Sequence, residues 1–554
     1  MFALLLLCAF VSASHGARIL GVFMTPSYSH QVVFQPIWKE LSLRGHQVTV
    51  LTPNPLNDPT LTNLTEIDLS FCYKAWDNYS IATLGAKEHS SSEEIKKLSE
   101  AYLAVSEVQL SHPEVQDLLK NNSKYEFDLI LVEFLWPVMY GFKDIFKCPM
   151  VGIASLPLTG TANEAIGNPN NPALEPEFTL PFSTNLSFKE RVISTIFKVL
   201  FKVGAKVSLR PKMEKISQKH FGNIRRLEVI AQDVSLVLVN SNLALQNVKP
   251  LVPAHVELSG IHIKEPKPLP KDLKTFMDDA KEGVIFFSLG SNIKSELLPE
   301  EQVNKFMNVF SQLPYKVLWK FENENLPNKP NNVEIKKWLP QQDLLHHPNM
   351  KLFITQGGLQ SLDEAIRSEV PILTIPFFAD QRYNSHHLAQ SGGSLSIDFH
   401  SFTEEEFKEK IVELISNPTY KKQITKLSKI ASDQPMPALE KAVWWIEYVI
   451  RHDGAEHLKY PGVDMPFYQY FLLDVIAFMA GTVGLMFYIL RRIFKHVVVT
   501  YKVFSKLHSG TLQRQVTTEI LQIHPCFWVN QEQSSPCLGE ISFYKTVLHD
   551  LIPD

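Results

Sequence analysis

The residues best suited to chemistry lie in one stretch, from Trp338 to Gln381. It begins Trp338-Leu339-Pro340-Gln341-Gln342-Asp343 and continues Phe353-Ile354-Thr355-Gln356-Gly357-Gly358-Leu359-Gln360-Ser361-Leu362-Asp363-Glu364. It ends Pro376-Phe377-Phe378-Ala379-Asp380-Gln381. An apolar run that enters a helix through two glycines lets the backbone approach an anion, and the exposed N–H groups of the new helix attract phosphate. A Gly-Gly turn alone marks only helix entry. Here it sits among complementary groups: Trp338 offers a flat face for a base, Glu364 can accept hydrogen bonds from ribose hydroxyls, and Asp380-Gln381 can bind those of a sugar.

Attack by a hydroxyl also needs a base, because its proton must leave as it reacts. His30 follows the first apolar run, on the loop leading into the first helix, where open parallel sheets place ligand-facing residues. A lone histidine there is more often a loop or capping residue. Glu133 closes the run Asp128-Leu129-Ile130-Leu131-Val132-Glu133, and its bland reading is a strand-end surface charge. Phe71, Trp76, Phe134, Trp136, Met139 and Tyr140 are candidates for an apolar pocket, although aromatic residues are more often plain core.

These residues need a scaffold, and the patterning supplies one. Ile19 to Phe23 is apolar, Gln31 to Leu43 has helical spacing, and Gln47 to Leu51 is apolar and β-branched, which makes a strand, helix, strand unit. Similar runs at Leu129 to Val132, Met150 to Ala154 and Val234 to Val239 extend it into a doubly wound α/β domain, residues 18–250. Five prolines between Lys249 and Pro270 mark a connector, 251–270. Strands are expected again at Val284 to Ser288, Tyr315 to Trp319, Leu352 to Thr355 and Ile372 to Ile375, giving a second α/β domain, 271–460.

The 554 residues suit two domains with appendages. With 45% hydrophobic and 20% charged residues and a net charge of -4, neither a disordered chain nor an electrostatic nucleic-acid binder is indicated. Residues 1–17 read as a signal peptide. Residues 470–490 are long and apolar enough to span a bilayer, and Arg491, Arg492, Lys495, Lys502 and Lys506 after them put the tail, 491–554, in the cytosol and the rest in the lumen. Asn-X-Ser/Thr triplets at Asn63, Asn78, Asn121 and Asn185 all precede the span. Of five cysteines, only Cys72 and Cys148 fall on the lumenal side, enough for one disulfide but not a stapled fold. Ser187 to Val207 reads as a basic amphipathic helix, suited either to a bilayer surface or to an ordinary core-facing position.

The Trp338 to Gln381 block resembles the signature of the UDP-glycosyltransferase family, the animal branch with glucuronosyltransferases and insect glucosyltransferases. The match runs from Pro26-Ser27-Tyr28-Ser29-His30 to the span. The resemblance implies two Rossmann-like domains facing across a cleft, the GT-B fold, with one C-terminal transmembrane helix. It puts Trp338 on uracil, Gln341 near base and ribose, Glu364 on the ribose, Gly357, Gly358 and Gln360 near the phosphates, and Asp380 with Gln381 on the hexose. Ser291, in Phe287-Ser288-Leu289-Gly290-Ser291, matches a further diphosphate-side loop. It makes His30 the catalytic base and Glu133 its partner.

Three positions depart from the family. Gln356 stands where the family usually has a diphosphate-contacting His, Glu133 where Asp is usual, and the tail runs on without a lysine-rich ending. The expected reaction is inverting transfer of a hexose, glucose in the first instance, from a UDP-sugar to a hydroxyl of a small lipophilic acceptor such as a phenol, steroid, flavonoid or xenobiotic. The alternatives are a UDP-glucuronosyltransferase and a non-catalytic, lipophilic-ligand-binding membrane protein. With no Asp-X-Asp triplet in the chain, no divalent-metal requirement is expected. The expected setting is the endoplasmic reticulum membrane, single-pass, with a homo-oligomer open and nucleic acid not a partner.

Overall fold

The computed structural model describes residues 16–508, apart from 86–90, 178, 181, 183, 184, 243 and 247. The signal peptide lies almost wholly outside the described residues, as do tail positions 509–554 with Cys526 and Cys537.

Among the described residues, thirteen strands form two parallel sheets. The first contains β1 (Arg18–Val22), β2 (Gln47–Thr52), β3 (Leu64–Asp68), β4 (Leu129–Glu133), β5 (Met150–Ala154), β6 (Leu236–Asn240) and β7 (His255–Leu258), in the order β3-β2-β1-β4-β5-β6-β7. The second contains β8 (Val284–Ser288), β9 (Lys316–Lys320), β10 (Val333–Lys336), β11 (Met350–Thr355), β12 (Ile372–Thr374) and β13 (Ser394–Ser396), in the order β10-β9-β8-β11-β12-β13. Strand order reverses between β1 and β4 in one sheet and between β8 and β11 in the other. At such a switch point the loops leaving neighbouring strands diverge to opposite faces and leave a crevice beyond the strand ends.

Strands covered on both faces read as unbroken apolar runs, and β4, β5, β6 and β8 are buried at every position. Strands β3, β7, β10 and β13 had no such signal. β3 (Leu-Thr-Glu-Ile-Asp) and β10 (Val-Glu-Ile-Lys) lie at sheet edges and are only partly covered. β7 sits inside the proline-rich connector, where the proline-free run after Pro253 pairs in register with β6.

Helix α1 (Tyr28–Leu43) follows its N-cap Ser27 and starts three residues before the expected helical spacing at Gln31. His30 therefore stands in the first helical turn and not on a loop. Phe23 of the first sheet stacks on Phe34 at 4.7 Å and meets Trp38 at 5.1 Å, which clamps α1 to the strands. Each such fully buried side chain contributes about 1.5–3 kcal/mol.

Helix α2 (Ser91–Leu110) belongs to the first half, as does α3 (Phe188–Gly204), which passes through a π-helical turn (Ala205–Leu209) into α4 (Arg210–Phe221). A core-facing role for α3 is not what the structure has: only Ser194 is buried, while Phe188, Ile196, Leu200 and Val203 are exposed. In the second half, α5 (Leu359–Arg367) follows β11 and α6 (Gln381–Gln390) follows β12. Helix α7 (Ala438–Arg451) crosses back to pack on α1 and β7. It buries Ala442, Val443, Ile446 and Val449, and Glu447 accepts hydrogen bonds from Arg44 and His46.

Cys72 and Cys148 are separate, buried free thiols, so the disulfide open to them does not form. Burial pushes the Cys72 thiol up to about 12 and the Cys148 thiol up to about 11. The described residues from Met465 to His508 belong to a second unit. Its α8 (Leu473–His508) is the one helix among the described residues long and apolar enough to cross a membrane, and it continues well past residue 490.

Candidate active site

Both switch points carry the residues singled out above. At the first, β1 leads into α1 and His30, and β4 ends on Glu133, which is 1% exposed. Adjacent strands bring the two together, and His30 Nδ1 lies 2.9 Å from Glu133 Oε1. The other carboxylate oxygen accepts the Thr25 backbone N–H at 2.9 Å. The carboxylate is thus fixed at both ends, and an N–H at Nδ1 directed to it leaves Nε2 as the acceptor. Ser155, one residue past β5, places its hydroxyl 2.9 Å from the same Nδ1. The sequence reading missed it, because a serine after a strand has no distinguishing pattern.

His30 lines a cavity of about 390 Å³. Trp76, Tyr102, Phe134, Trp136 and Tyr140 form an aromatic wall, Phe201 of α3 with Ala205 and Leu209 of the π-helical turn adds to it, and Phe378, Asp380 and Gln381 enter from the second half. Tyr102 stacks on Trp136 at 5.0 Å. The buried Trp136 indole N–H has no protein partner. Burial, reinforced by the Glu133 charge, raises the Tyr102 and Tyr140 phenols, which keeps them neutral. Two of the apolar-pocket candidates fall elsewhere: Phe71 is 39% exposed and stacks on His112, and Met139 faces a separate small void.

At the second switch point the loops leaving β8 and β11 lie side by side. Gly290 has φ +73, and a Cβ there would run into the Gln356 amide. Gly357 has φ +85, and its Cβ would strike the Ser385 hydroxyl. Only glycine fits either position without strain. Gly358 caps α5 in extended conformation. The Ser291 hydroxyl is buried without a partner, and Gln356, 7% exposed, accepts from Thr355 Oγ1 at 2.8 Å. The result is a polar pocket with backbone donors at a helix start, which suits a diphosphate.

Glu364 lies one turn into α5 and accepts from Gln341 Nε2 at 2.6 Å and from Gln342 Nε2 at 3.0 Å. Burial pushes its carboxyl up from the usual value, against the pull of His262 and the two amides. Trp338 is 57% exposed, touched edge-on by Tyr28 of the first half at 4.9 Å, and so has ring face free for a flat ligand. Gln360, expected near phosphates, donates to the Ser155 carbonyl at 2.8 Å, joining the halves.

After β12, Ala379 adopts φ +53, a left-handed conformation costing about 1–2 kcal/mol in a residue with a Cβ, and turns the chain into Asp380. Burial raises the half-buried Asp380 carboxyl, opposed by its Asn384 donor at 2.6 Å and by nearby His30. Gln381 spends its carbonyl oxygen on the Phe377 and Phe378 N–H groups at 2.9 and 3.2 Å, which stiffens the loop.

The family model described as UDP-glucoronosyl and UDP-glucosyl transferase matches residues 18–509. UDP-glycosyltransferase UGT5 of Dactylopius coccus is 38% identical over 486 residues, 86% of this chain and 91% of its own length. UDP-glucosyltransferase 2 of the same insect is 35% identical over 91% of this chain and 98% of its own. Among solved structures, the glycotransferase of kitacinnamycin superposes with a TM-score of 0.52 at 18% identity, covering 78% of this chain and 99% of that one. That likeness concerns the fold alone, the GT-B arrangement of two parallel α/β sheets. Because the family match spans both sheets and both switch points, and the relatives align over nearly their whole length, the chain belongs to the UDP-glucoronosyl and UDP-glucosyl transferase family.

Proposed function

We propose that this UDP-glycosyltransferase moves glucose from UDP-glucose onto a hydroxyl of a small lipophilic acceptor, with inversion at the anomeric carbon. The observation that carries the reading is His30, held by Glu133 at the wall of the same cavity that Asp380 enters from the other half. In this mechanism His30 Nε2 takes the acceptor proton as the oxygen attacks, and Glu133 holds the Nδ1–H and stabilises the imidazolium. UDP leaves toward the N–H groups of Gly357, Gly358 and the start of α5, with Ser291, Gln356 and Gln360 as side-chain donors. Trp338 stacks on the uracil. Gln341 and Glu364 exchange their mutual hydrogen bond for ribose hydroxyls, and Asp380 with Gln381 orients the hexose.

The finer division is proposed likewise: an acceptor domain 18–250, a connector 251–270 whose β7 completes the acceptor domain's sheet, and a donor domain 271–460. The chain is read as single-pass in the endoplasmic reticulum membrane, with a cleaved signal 1–17, a lumenal catalytic part and a cytosolic tail 491–554. The exposed side chains of Asn78 and Asn185 are open to glycosylation on that side, and the exposed apolar face of α3 supports contact with the bilayer. Acceptors are phenols, steroids, flavonoids or xenobiotics, a detoxifying role.

Mass spectrometry of a microsomal reaction given UDP-glucose, UDP-galactose or UDP-glucuronate with a panel of phenols tests donor and acceptor together. Transfer from UDP-glucose is expected. Calorimetry showing no affinity for any uridine nucleotide would sink the proposal.

A further inference from the structure

The first turn of α6, which follows its N-cap Asp380 and begins with Gln381, also carries a cation, Arg382. Its guanidinium donates to the Phe377 carbonyl at 2.6 Å, so it is fixed to the same turn as those two residues. It also makes a two-armed pair with Glu94 in the first turn of α2, at 2.9 and 3.1 Å. The Glu94 carboxylate is 6% exposed, and Ile95, Leu98 and Tyr102 farther along α2 line the cavity. Arg382 and Glu94 stand outside that lining, each next in sequence to a residue that belongs to it, Gln381 and Ile95, and the Lys and Arg side chains of the lining itself are paired too: Lys202 with Glu164 at 2.7 Å and Arg210 with Glu228 at 2.6 Å. Among the described residues of that wall, every cation faces a carboxylate.

We propose that Glu94 sets donor choice by neutralising Arg382, so that the hexose end of the site accepts an uncharged sugar and disfavours a hexuronate. This rests on the reading of Asp380 and Gln381 as hexose contacts. A sugar carboxylate needs a cation free to bind it in a bidentate way, and it is repelled by a carboxylate that already occupies one. Glu94 does both, since it fills the guanidinium fork and presents like charge. A neutral hydroxymethyl group in the same place meets neither penalty.

The test compares kcat/KM for UDP-glucose and UDP-glucuronate in the full chain, in Glu94→Gln and in the double variant Glu94→Gln/Arg382→Leu. Freeing the guanidinium is expected to raise the glucuronate-to-glucose ratio about tenfold, the range of one charge-assisted hydrogen bond, and removing Arg382 as well should return it to the parental value. Retained transfer with an unchanged ratio overturns the inference. No transfer from any UDP-sugar by the parental chain would instead overturn the proposed function. Arg382→Gln gives a second reading, because it leaves the Glu94 charge uncompensated. Inhibition by UDP-glucuronate should weaken several-fold while inhibition by UDP holds, and equal shifts in the two would also overturn the inference.

Discussion

The two halves share one topology and put it to opposite uses. At the switch point between β1 and β4 the neighbouring loops bring together a titratable pair, His30 and Glu133, above an aromatic cavity. At the one between β8 and β11 they bring together glycine, serine and amide groups that keep their character across the physiological range. In the proposed function, one crevice shifts a proton and the other holds a charge in place. The lesson is that the fold supplies the location and the side chains at the strand ends supply the task.

The sharpest way to break this comparison is His30→Ala. It should lower kcat by roughly 10²–10⁴-fold, the range of a positioned general base, and leave the calorimetric affinity for UDP as it was. A parallel loss of UDP affinity would mean that the halves do not divide the work. Next in size is Glu133→Gln, which keeps the shape but removes the charge facing Nδ1. A fall in kcat of roughly ten- to a hundredfold is expected, measured as initial rates against pH.

On the donor side, Trp338→Ala should raise the KM for the UDP-sugar about tenfold with kcat nearly unchanged, in line with the stacking energy of one base. Its ring is already more than half exposed, so the melting temperature should hold. The smallest effect is expected from Gln356→His, which would give the charge-holding crevice a titratable group. A diphosphate favours the protonated imidazole and raises its value above the ordinary one of about 6.5. UDP should then bind several-fold more tightly at pH 5.5 than at pH 8.5, the gain fading as pH rises through the raised value. The parental Gln356 should show no such slope in calorimetry over that range.

Legibility in the sequence followed burial. β4, β5, β6 and β8 are covered on both faces and announce themselves as apolar runs, whereas β3 and β10 are only partly covered and carry too few apolar residues to stand out. Proline density concealed β7, because a four-residue strand fits between Pro253 and Pro266 without needing a longer pattern. Gly357 and Glu364 could be singled out because their chemistry is local to one strand-to-helix passage. Ser155 and the Arg382–Glu94 pair could not, since each gains its meaning only from a partner more than a hundred residues away.

Helix α7 bears on how such proteins could be recombined. Its buried face of Ala442, Val443, Ile446 and Val449 rests on elements of the opposite half, and Lys441 reaches the Glu257 carbonyl at 2.9 Å. A hybrid spliced only at the connector would set that face against a foreign surface. Exchange of acceptor halves between relatives therefore calls for two cuts, with the 438–451 segment travelling alongside the portion it covers.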